Sequence, residues 1–130
     1  MRLDPASALR PTTTATVATL SFINPPGLYD PRANGYTHVV AAPAQARTLF
    51  VAGQGGENAA GELSADFGEQ LRQAFTNVRI ALAAAGGTLH DVAKLTVLVV
   101  DHTEQRLALL SGMVRSLLGC TAAPVRRPGL

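Results

Sequence analysis

The sequence predicts an α+β domain, a mixed sheet with two helices lying together on one face, and three of its patterns carry that prediction. Across residues 66–85 the apolar positions Phe67, Leu71, Ala74, Phe75, Val78, Leu82 and Ala85 recur every three or four places, which paints one face of a helix. Across residues 91–100 the chain offers Val92, Ala93, Leu95, Val97, Leu98, Val99 and Val100 with only Lys94 and Thr96 interrupting, as a strand buried on both faces would. Two further β-rich runs, residues 36–42 and 48–52, stand at a hairpin-like separation. Strands, then a helix, then a strand and a second helix leave both helices free to cover the same side of the sheet.

Taken in order, residues 1–14 hold two prolines and the run Thr12-Thr13-Thr14, and they read as a loosely held leader to a single domain at 15–130. Val17, Leu20, Phe22 and Ile23 fit a short first strand, which Asn24-Pro25-Pro26-Gly27 stops because proline removes ladder donors. Residues 28–35, with Asp30-Pro31 and Asn34-Gly35, form a loop. The next two runs, joined by Pro43-Ala44-Gln45-Ala46-Arg47, make an antiparallel pair. Gly53-Gln54-Gly55-Gly56-Glu57-Asn58 invites a phosphate-cradling reading, but Asn58 stands where G-x-G-x-x-G needs glycine and no Gly-Lys-Ser/Thr follows. A flexible turn between strand and helix is the better reading. Ser64 or Asp66 can cap the first helix, with Glu69 placed as in a capping box, and Gly86-Gly87 supplies a left-handed exit. Thr103 caps a second helix, whose Leu107, Leu110, Met113, Val114 and Leu117 keep helical spacing as far as Gly119. Residues 121–130 then offer no room for another full strand.

Composition excludes several classes. A chain of 130 residues suits one domain, and 47% apolar against 15% charged residues, with a mean hydropathy of +0.18, excludes disorder throughout. Ten Arg and the single Lys94 against nine acids leave a net charge of +2, and with 5% aromatic residues and no Trp the chain lacks the basic, stacking surface of a nucleic-acid partner. No apolar run reaches the ~18 residues of a membrane helix. Met1-Arg2-Leu3-Asp4-Pro5 does not read as a secretory signal. Cys120 is the one cysteine, which rules out an intrachain disulfide and fits a cytoplasmic location. The surplus of small apolar residues suggests surfaces covered by another subunit.

Candidate chemistry starts with the histidines. His38, His90 and His102 lack the pair spacing of metal ligands, so no metal is expected. Period two puts His38 on the same side of its strand as Tyr36, where the two can share a polar pocket; exposed strand positions account for them otherwise. No G-x-S-x-G elbow is present, and Ser111 lies inside the second helical stretch. Cys120 has no histidine beside it and reads as an incidental thiol. Arg126 and Arg127 have two readings: a guanidinium fork that binds a small carboxylate beside another subunit, or a solvated basic tail.

Several stretches together resemble the Rid/YjgF family, the reactive-intermediate (enamine/imine) deaminases. Phe22-Ile23-Asn24-Pro25-Pro26, Gly35-Tyr36-Thr37-His38-Val39-Val40 and Leu49-Phe50-Val51-Ala52-Gly53-Gln54 resemble its amino half. Gln70-Leu71-Arg72-Gln73-Ala74-Phe75-Thr76-Asn77-Val78 resembles its first helix, and the stretch from Ala84 through Gly86-Gly87 to Val97 resembles its helix exit and following strand. The likeness runs from about residue 22 to about residue 124. It implies a chorismate-mutase-like subunit in a homotrimer, sheets inward and helices outward, with three ligand clefts between neighbours. It also implies hydrolysis of 2-imino or 2-enamino acids to 2-oxo acids and ammonia with no metal or organic cofactor, so the expected ligand is a small 2-imino or 2-oxo acid. By the same resemblance, Arg126 in Pro124-Val125-Arg126 is the catalytic clamp on the substrate carboxylate. Tyr36 is the cleft tyrosine with His38 beside it, and Ala52, Gly53 and Thr103 complete the substrate-binding set.

Four departures qualify what the resemblance implies. Ala52 stands where deaminase members often have serine, Thr103 where many have asparagine, and the insertion at 27–34 is longer than in the deaminase type. After Arg126 only Arg127-Pro128-Gly129-Leu130 remain, where the family runs on through a closing strand that carries a glutamate. The expectation is a domain lacking that strand, with weak turnover, or a non-catalytic binding or sensing member of the same fold.

Overall fold

Helix α1 spans Phe67–Ala84 in the computed structural model, which describes residues 19–119. It starts as the sequence predicts: the Asp66 carboxylate accepts the backbone N–H of Glu69 at 2.8 Å, and the Ser64 hydroxyl donates to the Glu69 carboxylate at 2.7 Å. Such a cap contributes about 1 kcal/mol. It ends in a Schellman closure, with Gly87 N–H on the Leu82 carbonyl at 2.8 Å, Gly86 N–H on that of Ala83 at 3.0 Å, and Gly86 at φ +81°. Arg47 adds a cation at this negative end of the helix, its Nη2 donating to the Ala85 carbonyl at 2.6 Å. One face of α1 supplies Leu71, Phe75 and Leu82, the buried apolar core among the described residues.

Helix α2 spans Glu104–Val114, with Thr103 Oγ1 accepting the Arg106 N–H at 3.1 Å. A single wider π turn, Arg115–Gly119, carries the helical path to the glycine where the spacing ends. The two helices pack together. Arg106 spans their junction, its guanidinium 4.8 Å from the Phe67 ring centre and its Nη1 donating to the Val100 carbonyl at 2.6 Å.

Strands β1 (Ser21–Ile23) and β2 (Val39–Ala41) pair antiparallel with Phe22 opposite Val40. This corrects the expected partner: β2 pairs with the first strand, and residues 48–52 join no ladder and are exposed. The reason is local. Asn24 Oδ1 accepts the backbone N–H of His38 at 2.9 Å and clamps the two chain segments beside the Ile23–Val39 pair. Pro43, at the head of the competing turn, has no N–H to give a ladder.

Residues 92–100 also join no sheet, which corrects the expectation of a central strand buried on both faces. Val92, Leu95 and Val97 line a cavity beside α2, whereas Leu98 is 91% and Val100 78% exposed. Apolar side chains occur on both sides of this segment, but among the described residues only one side lines the cavity beside α2. The fold is thus α+β with two helices and, among the described residues, a small antiparallel sheet in place of the larger mixed one.

The segment between residues 53 and 63 is a hydrogen-bonded turn rather than a flexible one. Asn58 Oδ1 accepts the N–H groups of Ala60 and Glu62 at 2.9 and 3.0 Å, and Asn77 Nδ2 on α1 donates to the carbonyls of Gly55 and Glu57 at 3.0 and 2.8 Å. The leader at 1–14 and the tail from residue 120 lie outside the described residues.

Candidate functional site

Tyr36 and His38 come together, but both sit ahead of β2 rather than in a strand, so strand periodicity does not account for the contact, and of the two only Tyr36 lines the cavity described below. Their ring centres are 5.5 Å apart at 84°. A third ring, Tyr29, joins them at 5.5 Å and 89° from His38 and at 6.3 Å and 73° from Tyr36. The three rings meet edge to face, the favourable arrangement of their quadrupoles. The two tyrosine hydroxyls hydrogen-bond to each other. His38 Nε2 lies 2.9 Å from the Tyr29 carbonyl, an acceptor only, so this nitrogen carries the proton.

Tyr29 was invisible to periodicity because it stands in a loop, yet the loop carried a signal. Asp30-Pro31 and Asn34-Gly35 are two turn-forming pairs, and between them the chain makes one 3-10 turn, Arg32–Asn34, that brings residue 29 back against residue 36. Asn34 N–H and Gly35 N–H close the turn on the Pro31 and Arg32 carbonyls at 2.9 and 3.0 Å, and Gly35 takes the left-handed φ of +76° that such an exit needs. Pro31 is fully buried. Arg32 donates its Nε to both Asp30 oxygens at 2.8 Å and its backbone N–H to Oδ1 at 3.1 Å; these bonds and the carboxylate charge hold the guanidinium above its ordinary pKa. From the far end of α2, Arg115 Nη1 donates to the Ala33 carbonyl at 3.1 Å and pins the turn to the helices.

Tyr36 also lines a cavity of about 590 Å³. Phe22, Val40, Leu95, Val97, Leu107 and Leu110 give it apolar walls, and Arg32, His90, Lys94 and Ser111 give it polar and cationic groups. Among the described residues no Asp or Glu lines it. A largely apolar pocket with a few polar groups on its wall is the general form of a small-molecule site. A second cavity, of about 520 Å³, is lined by Asn58, Glu62, Ser64 and Glu69, whose polar atoms already bond to one another in the turn and the cap of α1.

The remaining predicted residues lie elsewhere. Ala52 is exposed and its carbonyl accepts Gln54 Nε2 at 3.2 Å, Gly53 is exposed with open space around it, and the Thr103 hydroxyl oxygen is engaged as the cap of α2. None of the three lines the cavity that Tyr36 lines. Arg126 and Cys120 lie outside the described residues. Among the described residues no group of three or more His, Cys, Asp or Glu side chains is placed to hold a metal ion. One buried donor, Asn24 Nδ2, has no partner among them.

Comparison with known proteins extends this picture. Residues 30–125 match the family model described as Endoribonuclease L-PSP. The RutC family protein YjgH of Escherichia coli (strain K12) is 42% identical over 57 residues, which is 44% of this chain and 44% of that protein. The match therefore spans less than half the length of that curated relative. A crystal structure of YyfB from Yersinia pestis, described as a protein of unknown function of the conserved Rid protein family, superposes with a TM-score of 0.74 at 32% identity, covering 84% of this chain and 82% of that one.

Proposed function

The chain belongs to the endoribonuclease L-PSP family, the Rid/YjgF proteins, and from that membership we propose that it forms a homotrimer whose clefts bind small 2-imino or 2-oxo acids and hydrolyse the imino acids. The observation that carries this reading is the cavity beside Tyr36, in which apolar walls adjoin Lys94 and the Asp30-paired Arg32. Its volume is of the size that encloses a small metabolite, roughly 300–1,000 Å³. A carboxylate has cations to meet there, and a short carbon chain has apolar surface to cover.

In the proposed reaction Arg126 clamps the carboxylate, and such charge-assisted bonds contribute about 1.5–3 kcal/mol. The Tyr36 hydroxyl, on the cavity wall, orients the C=N carbon towards water. Water oxygen adds to that carbon, the nitrogen takes up protons, the C–N bond of the resulting carbinolamine breaks, and a 2-oxo acid and ammonia leave. No electron transfer occurs, and the step calls for no metal or organic cofactor.

Assembly is supported by apolar side chains that one chain leaves uncovered. Phe50 is 95%, Leu98 91% and Val100 78% exposed, as apolar side chains that a neighbour covers would be. Among the described residues no helix is long and apolar enough to cross a membrane, and a cytoplasmic location goes with this reading.

A second reading, binding or sensing without turnover, is favoured by the lack of any Asp or Glu on the cavity wall among the described residues, since water then has no carboxylate beside it. The experiment that separates the two follows ammonia release from freshly generated 2-iminopropanoate with wild type, Arg126→Ala and Tyr36→Phe. Turnover expects a wild-type rate above buffer that Arg126→Ala abolishes. Rates equal to buffer in all three, together with measurable 2-oxo acid affinity, would replace catalysis with binding.

A further inference from the structure

We propose that Tyr29 makes this site select 2-imino or 2-oxo acids that carry an aromatic ring over short aliphatic ones; the inference rests on the small-acid reading above and names the substrate class of the same site. Tyr29 is placed by the longer loop, and that loop is fixed rather than free. The Asp30–Arg32 ion pair, the two turn hydrogen bonds, the buried Pro31 and the Arg115–Ala33 bond all hold it. Its carbonyl is held in addition by His38 Nε2. The ring therefore meets a ligand already ordered, and little freedom is lost when one binds.

The exposed area says what kind of ligand fits. Tyr29 is 60% and Tyr36 43% exposed even after their edge-to-face contacts, so ring surface remains open to solvent next to the cavity that Tyr36 lines. A short aliphatic acid held on the cavity wall of Phe22 and Tyr36 does not extend to Tyr29, which stands outside that wall beside Tyr36. A ligand that carries its own ring gains a stacking or edge-to-face partner in Tyr29, and such contacts are worth about 0.5–1.5 kcal/mol beyond area burial. The corresponding preference is roughly two- to twelvefold, because 1.4 kcal/mol is a factor of ten.

The test uses calorimetric titration of the assembled protein with pyruvate and with phenylpyruvate, for wild type, Tyr29→Phe and Tyr29→Ala. The chain has no Trp and only two Tyr, Tyr29 and Tyr36, so the tyrosine ring signals in a proton spectrum report on this site alone and confirm where each acid binds. The expected result is a several-fold preference for phenylpyruvate in wild type, kept in Tyr29→Phe and lost in Tyr29→Ala because phenylpyruvate affinity falls several-fold more than pyruvate affinity. Equal affinities in wild type, or a preference that survives Tyr29→Ala, would overturn the inference and leave the small-acid reading standing. Binding of neither acid would overturn both. Loss of binding of both acids in Tyr29→Ala, with wild-type melting behaviour, would show the ring to be a general support and would also overturn the selectivity.

Discussion

Replacing Gly35 by alanine should loosen the aromatic site by a calculable amount. At φ +76° a residue with a Cβ costs about 1–2 kcal/mol, offset by the roughly 0.4–1 kcal/mol that alanine gains from a stiffer unfolded chain. The added Cβ would also stand 3.0 Å from Arg115 Cγ and 3.2 Å from Val114 Cγ1, so the arginine must give way. If it does, its hydrogen bond to the Ala33 carbonyl goes, at about 1 kcal/mol. The sum is about 2 kcal/mol, and for a domain of this length that lowers Tm by about 8 °C. The assay is thermal unfolding at fixed protomer concentration, since the proposed assembly would make Tm depend on it. Gly35→Asn should lose less, because asparagine tolerates the left-handed region. In an Arg115→Ala background the cost of Gly35→Ala should fall by about 1 kcal/mol, the part that passes through the arginine. A change in Tm under 2 °C, or strict additivity in the double mutant, would refute the reasoning.

Other outcomes follow from the same contacts. Phe75→Ala removes the most buried large side chain of α1 and should cost about 3–5 kcal/mol in denaturant unfolding. Asn77→Ala deletes two hydrogen bonds to the 53–63 turn and should cost about 2 kcal/mol, with new proteolytic cleavage confined to that turn. Leu98→Asp, at a position that one chain leaves exposed, should keep the helical circular-dichroism spectrum while sedimentation shows the assembly shifting to single chains. An unchanged oligomer would remove that face from the proposed interface.

What was legible in the sequence follows from how local its cause is. Both helices were readable because their signals lie within a few residues of each other: the spacing of Leu71, Phe75 and Leu82, the Asp66 and Thr103 caps, and the Gly86-Gly87 exit. Strand pairing was not, because β1 and β2 are three residues each and their register is set by one side chain, Asn24, reaching a backbone amide fourteen positions away. The apolar run at 92–100 promised burial on both sides, but composition cannot say whether the second cover belongs to the same chain. At the site, period two named Tyr36 and His38 although neither lies in a strand, while Tyr29 depended on a turn whose closure is invisible to periodicity.

The Arg115–Ala33 bond joins residues 82 positions apart, the longest such span among the side-chain bonds described above. Closing so large a loop is slow, because the chain entropy is lost before the contact rewards it. This one tie on the aromatic corner therefore forms only once the second helix has docked, whereas the ring contacts among residues 29–38 do not wait for it. During synthesis, the turn holding Tyr29 lacks this tie to the helices until Arg115 has left the ribosome.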